Sequence, residues 1–439
     1  MGMRIRAGMA LTATAAMLTL AGCGTNAGDT GSGSTDSASE SAASPASDVT
    51  EITVFQNANS GTPLGTLQRE IYKAYEEKTG IKVVISDVPA DNYVQAYEAA
   101  VAAGEEGDLL ITNPTTDRRA WVSDGAVVDM NPYLDQWGLR DKLLDGALEG
   151  WSDPDGALMG IPYYGFTWPM LWNTAVLKEA GVDAVPQTKD ELIAAAEKFK
   201  GSGKALISVA GGDWPGLAFF SQAIQTRTDN DTMRKVFQEG GYCDTESVKQ
   251  SIQDFVDMRD AGVFPESAEG YKMDQQNTMF FNAEAAGLHG ATWWFSDVPE
   301  AMRPNVQVGG IPVPADGPFK KPVAVKASTS MGFWMSQNGQ EKADAIGELV
   351  KMFYEEEWAQ KLVSDVAQVP NMKIQDVPES ENPIYGQVVQ PDFADSLDWV
   401  VLPDDQIPGD IKSTMEAAAA YQPGRTADEI CAAMDSVYR

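Results

Sequence analysis

Residues 160–173 read GIPYYGFTWPMLWN. Tyr163, Tyr164, Phe166, Trp168 and Trp172 crowd one short stretch, broken by Pro162 and Pro169. Aromatic rings bury large apolar areas in a core, and they also stack on flat ligands. The stretch is compatible with a core strand and with a surface built to hold something flat. The residues on either side decide which.

Upstream, strands and helices alternate. EITVFQNAN, with Ile52 and Val54, predicts a short buried strand, and TPLGTLQREIYKAYEEKTG predicts a helix stopped by Gly80. IKVVISDV, NYVQAYEAAVAAGEEG and DLLIT continue as strand, helix and strand. Downstream, Val185-Pro186 ends one element, and Thr188 with Glu191 three residues on forms a capping box. ALISVAGGDWPGLAFF predicts a strand, a glycine-rich loop and a helix start. Later come helices around 244–262, a strand–helix unit from STSMGFWMSQ onward, a proline-rich region and two short closing helices. The alternation implies α/β lobes with mostly parallel, doubly wound sheets. A chain of 439 residues exceeds one ordinary core, so two domains are expected. In open α/β sheets ligands sit beyond the carboxyl ends of the strands. Asn57 and Asn59 in QNANSG and Asn113 in TNPTTDR stand at such ends, although the same residue types form ordinary turns.

The formal net charge is −32. Such a field repels phosphate backbones, which argues against nucleic acid as a partner. Arg4 and Arg6 precede the apolar run AGMALTATAAMLTLAG, which is too short for a membrane span and ends at Leu20-Ala21-Gly22-Cys23. That ending resembles the bacterial lipobox, with residues 1–22 as signal peptide and Cys23 as the lipidated mature N-terminus. Residues 23–49, rich in Gly, Ser, Ala and Asp, read as a flexible tether. The body is thus expected at the outer face of the cell membrane, held by lipid alone. Cys243 and Cys431 either pair, which that compartment permits, or sit as separate buried thiols.

LWNTAVLKEAGVDAVPQTKDELIAAAEKFK resembles the carbohydrate-binding group of extracellular solute-binding proteins of ABC importers, the group that includes maltose-binding protein. Trp172-Asn173, the run 178–181 ending in Ala-Gly, and Pro186, Thr188, Glu191 and Leu192 follow that group's order. MFFNAEAAGLHGATWW, VGGIPVPADG and EKADAIGELVKMFYEEEWAQKL resemble its later segments, so the resemblance spans nearly all of 51–439. It implies a two-lobed, periplasmic-binding-protein-like fold of type II, each lobe a doubly wound, mainly parallel sheet, joined by crossing hinge strands. It implies an N-terminal lobe of 50–163 and 321–372 and a C-terminal lobe of 164–320 and 373–439. The opening stretch then becomes a crossing strand whose residues also face the cleft. The implied protein is a monomer without cofactor that captures a carbohydrate, an oligosaccharide in the sharper form, and delivers it to permease subunits.

Sugar rings present flat C–H faces that suit aromatics, and vicinal hydroxyls that suit Asp, Asn, Gln and Arg. The resemblance places GGDWPG in the cleft, with Asp213 accepting from hydroxyls and Trp214 stacking. Of Trp293 and Trp294, one is expected on the ligand and the other in the core. Asp117 and Arg118 match an acidic–basic pair that holds hydroxyls. Phe166 falls where maltose-type proteins carry a carboxylate, which argues against simple maltodextrin specificity; Tyr164 and Trp168 alternate with it. Trp399 in SLDWVVLP is a further candidate, and Trp172 is assigned to the core.

An enzyme finds little support. The single histidine, His289, excludes most His-based triads and His-rich metal sites and reads as a core residue. No H-E-x-x-H, G-x-S-x-G or P-loop pattern occurs. TDNDTMR lacks the glycine and terminal glutamate of a calcium loop and reads as a solvated turn. A carboxylate-pair glycosidase and a binding protein for a non-sugar solute remain as alternatives.

Overall fold

Ile52, Val54 and Phe55 are buried on the first strand because helices cover both faces of its sheet. The structure, a computed structural model, describes residues 49–439 apart from 58, 90, 91, 149, 154, 377, 390, 391, 404, 405, 408 and 409. The signal peptide, Cys23 and tether residues 23–48 lie outside the described residues.

The strands are β1 (Glu51–Asn57), β2 (Lys82–Val88), β3 (Leu109–Thr112), β4 (Ile161–Trp168), β5 (Met170–Asn173), β6 (Ala205–Ser208), β7 (Ala285–His289), β8 (Val306–Gly309), β9 (Val323–Met335), β10 (Val369–Pro370) and β11 (Asp398–Val400). One sheet runs β10-β4-β9-β3-β1-β2, with β11 also paired to β9; the other runs β6-β7-β5-β8. The helix Pro63–Thr79 joins β1 to β2: the Thr62 side chain caps it by accepting from Gly65 N, and Gly80 ends it at φ 74°. In the second sheet the helix Lys189–Phe199 starts with the capping box of Thr188 and Glu191.

Two expectations need correction. The strand–helix alternation suggested mainly parallel sheets, and both are mixed. β1 pairs in parallel with β2 and β3, and β6 with β7. β3, β4 and β10 pair antiparallel in the first sheet, as β5 does with β7 and β8. The parallel units β2-β1-β3 and β6-β7 are each extended at one edge, by β9 and β4 beyond β3 and by β5 and β8 beyond β7, in alternating direction. TDNDTMR is not a solvated turn either. Asp229 accepts from Thr232 N and caps the helix Asn230–Glu239, which buries Met233, Val236 and Phe237.

The opening stretch divides between the sheets. Every residue of β4 is buried. Ile161, Tyr163 and Tyr164 enter one apolar core, while Phe166 and Trp168 enter another. Its partner β9 does the same, with Phe333, Trp334 and Met335 in the first core and Val323 and Val325 in the second. The β4–β9 register runs from Ile161↔Phe333 to Trp168↔Val325 and is irregular on both sides of Tyr164. After Pro169 the chain continues as β5 in the other sheet. Gly332 is required here, because a Cβ would lie 2.3 Å from the Trp151 ring.

Cys243 and Cys431 pair, with Cα atoms 5.1 Å apart and a sequence separation of 188. The bridge ties the loop before the helix Glu246–Asp260 to the terminal helix Ala427–Asp435. The Asp435 carboxylate holds the same loop, accepting from the backbone N–H groups of Gly241, Tyr242 and Cys243. A bridge closing so long a loop stabilises by about 2–5 kcal/mol. Replacing both cysteines by serine is expected to lower the melting temperature by several degrees while leaving far-ultraviolet circular dichroism unchanged. An unchanged melt would show that the loop is held by Asp435 alone.

Candidate functional site

Three chain segments beside the β4–β9 ladder carry the candidate groups. The first is the polar end of β1. Gln56 is buried and locked: its Oε1 accepts from Tyr72 OH at 2.8 Å, and its Nε2 donates to Asp87 at 2.8 Å and to Asn59 Oδ1 at 3.3 Å. Asn59 Nδ2 in turn donates to Gln68 Oε1 at 2.5 Å. Arg69 closes the network on Asp87 at 2.7 Å. Asn57 Oδ1 is buried without a hydrogen-bond partner. It lines a small recess with Gln56, Asn59, Leu64, Gln68, Ile111, Tyr164 and Met331.

The second segment follows β3. Arg118 lies against Tyr93 and Trp121, 5.1 Å and 5.9 Å from the ring centres. It donates to Thr112 Oγ1 at 2.6 Å and to both oxygens of Asn113. Arg118 therefore fixes the turn that presents Asn113. Asp117 is exposed and accepts from Thr115 Oγ1.

The third segment is aromatic. Trp168 is fully buried, stacked on His289 at 4.9 Å with the planes 5° apart. Its other neighbours are Phe166, Trp293 and Trp214, at 6.0, 5.4 and 5.6 Å. Trp293 packs edge-on against Phe166 at 5.0 Å and is half-buried; Trp294 is buried and lies 5.8 Å from Trp214. Trp214 alone of this group is open, with 37% of its surface exposed.

The expected site residues thus divide. Trp214 presents a ring to solvent, with Trp168 and Trp294 supporting it. Trp293 is partly accessible. Phe166, Trp168 and Trp294 form the floor, and Trp168 departs most from the expectation because the His289 stack covers it. Asp213 is first a structural group: one carboxylate oxygen accepts from Trp214 N at 2.8 Å and the other from Met273 N at 3.1 Å. Tyr164 joins the floor to the amide recess. Trp399 stands apart, half-buried against Phe393, its Nε1 donating to Ala394 O. Sequence reasoning missed Gln56 and Gln68. A signal existed for Gln68, a polar residue inside the apolar stripe of Leu64, Leu67 and Ile71.

Trp172 is buried in the second core, as expected. No group of His, Cys, Asp and Glu able to hold a metal occurs among the described residues, and no described helix is long and apolar enough to cross a membrane.

The model of the family described as bacterial extracellular solute-binding protein matches residues 58–360. A crystal structure of a probable secreted solute-binding lipoprotein from Streptomyces coelicolor is 30% identical, with a TM-score of 0.79, covering 90% of this chain and 99% of that one. A structure from work on xylan utilization by Caldanaerobius polysaccharolyticus shares the fold at a TM-score of 0.76 and 21% identity, covering 88% of this chain and 99% of that one. A probable sugar-binding periplasmic protein of Rhizobium meliloti is 30% identical over 118 residues, 27% of this chain and 28% of that relative. The chain belongs to the bacterial extracellular solute-binding proteins and has their two-lobed fold of type II. These are binding proteins of ABC transporters and not enzymes.

His289 provides a test of this packing. Burial lowers its pKa from 6.5 to about 3, so the fold keeps it neutral. Below about pH 6.5 the unfolded chain takes up a proton that the folded chain refuses. Its contribution is therefore complete above that pH and is lost progressively as pH falls toward 3. Between pH 6 and 5, above the range where carboxylates titrate, its share of stability should fall by about 1 kcal/mol per pH unit. Denaturant melts of the parent and of His289→Leu should differ in slope by that amount, whatever their absolute stabilities. Parallel slopes would place His289 in contact with solvent.

Proposed function

We propose that this protein captures a carbohydrate, an oligosaccharide in its full form, in the cleft floored by β4 and delivers it to the permease subunits of an ABC importer. The observation that carries this reading is Trp214, an exposed ring braced by buried rings, on the same strand-built floor as an amide-lined recess containing the unpartnered Asn57 Oδ1. An apolar platform beside neutral donors and acceptors suits a sugar's flat face and its hydroxyls. An anionic solute would need a cation. Both arginines beside the amide recess are engaged, Arg69 with Asp87 and Arg118 with Thr112 and Asn113, although the ladder also carries the exposed Lys326 opposite Thr167. The sugar-binding relative from Rhizobium meliloti favours the same class of ligand.

In this reading residues 50–163 with 321–372 form one lobe and 164–320 with 373–439 the other, and the ligand draws them together through its higher affinity for the closed form. The protein acts as a monomer, tethered by lipid on Cys23 at the outer face of the membrane. A Cys23→Ser variant should leave the membrane fraction; undiminished retention would overturn the anchor.

A thermal-shift screen across mono- and oligosaccharides tests the ligand class, since a true ligand raises the melting temperature by mass action. Calorimetry with recovery of intact sugar completes the test, and turnover of the sugar would sink the reading. Loss of a stacking hot spot costs about 2–4 kcal/mol, or roughly 30- to 1000-fold in affinity. Trp214→Ala should weaken binding by that order with little change in the ligand-free melt. Trp172→Ala, in the core, should instead destabilise the fold by about 3–5 kcal/mol.

A further inference from the structure

The recess beside Tyr164 is small, about 10 Å³, room for about one water-sized group. A larger recess of about 310 Å³ lies on the helix Met273–Phe281, lined by Tyr271, Asp274, Gln275, Thr278 and Met279. It is a shallow depression, open to solvent, that would cover one face of a ring and not enclose it. None of the residues discussed above lines it.

Its place is fixed relative to Trp214. Gly212 N donates to Tyr271 O at 3.1 Å, Lys272 Nζ donates to Gly212 O, and Met273 N donates to Asp213 Oδ2 at 3.1 Å. The approach is so close that a Cβ on Gly212 would lie 2.5 Å from Glu269 O. The loop carrying Trp214 and the segment carrying Tyr271 therefore form one bonded unit. Tyr271 is half-buried, whereas Asp274, Gln275 and Thr278 are exposed.

The lining is a phenol ring, a carboxylate, an amide, a hydroxyl and a thioether, with no cation. An anionic group would face Asp274 and a chain of net charge −32. A neutral ring with an apolar face and several hydroxyls finds a stacking partner in Tyr271 and an acceptor in Asp274, while Gln275, whose Oε1 already accepts from Lys272 N at 3.0 Å, offers its Nε2 as a donor. Building on the carbohydrate reading, we propose that this recess is an outer subsite holding a sugar ring of a neutral oligosaccharide whose inner part lies on Trp214. The ligand is then longer than a disaccharide, and chain length is read at Tyr271.

The test is calorimetric titration of the full chain with gluco-, xylo- and chito-oligosaccharides of two to five rings, using the parent and Tyr271→Ala. In one of these series the parent should gain about tenfold in affinity between the disaccharide and the longer chains. Tyr271→Ala should abolish that gain and leave disaccharide affinity and the ligand-free melt unchanged. A parent without length dependence, a variant that keeps the full gain, or a variant that weakens disaccharide and longer chains equally would each overturn the subsite. If the parent binds no sugar of any length, the carbohydrate reading itself falls, and the subsite with it.

Discussion

The antiparallel ladder between β4 and β9 is the constraint on which the rest of the molecule depends. Each strand begins in one core and ends in the other. Neither core can be completed without side chains delivered by this pair. That explains why β4 is buried at every residue, in contrast to a solvated strand whose burial alternates. It also explains the irregular register around Tyr164. Here the ladder must pass from one packing environment to another, and bulges re-aim side chains and sharpen local twist. The amide recess lined by Tyr164 and Met331 lies in this stretch, and the rings around Trp168 follow at its end.

The aromatic group is built from that ladder outward. Trp168 ends β4 and His289 ends β7, so the two rings meet where the sheets approach. On this base lie Trp214 at the start of its helix and Trp293 and Trp294 in the turn after β7. Most of these rings are there to be covered. Trp214 is left open, and its position is fixed by neighbours that have no freedom to move. A braced ring loses little conformational freedom when a ligand arrives, which is how preorganisation raises affinity.

Much of this could be read in advance. The alternation of the first hundred residues of the body, the stop at Gly80 and the capping box at Thr188 are local devices, and local devices survive folding. Pairing direction could not be read, because whether β9 lies antiparallel to β3 and β4 depends on segments more than 150 residues apart. The site was half legible. Trp214 stood out as an aromatic in a glycine loop after a strand. Trp168 looked equivalent, and only the arrival of His289 from 121 residues downstream buries it. Asp213 looked like a ligand group, but its carboxylate serves two backbone N–H groups. A sequence reveals which groups carry chemistry; it does not reveal which of them the fold has already engaged.

That distinction bears on what kind of solute the chain can hold. A protein of net charge −32 attracts cations and repels anions at long range. At short range much of the charge at its candidate site is already engaged. Arg69 and Arg118 are engaged, the Asp213 carboxylate accepts from the backbone, and the inner recess is lined with amides, apolar groups and a phenol. In the proposed reading, long-range repulsion of anions and a recess lined by neutral groups both favour solutes whose recognition depends on shape and hydrogen bonds. For such solutes affinity grows with each ring placed on an aromatic face and each hydroxyl matched, so an extended site gains more from a chain than from a single sugar. In the proposed reading, the open ring of Trp214 and the depression at Tyr271, bonded through one loop, would serve that kind of addition.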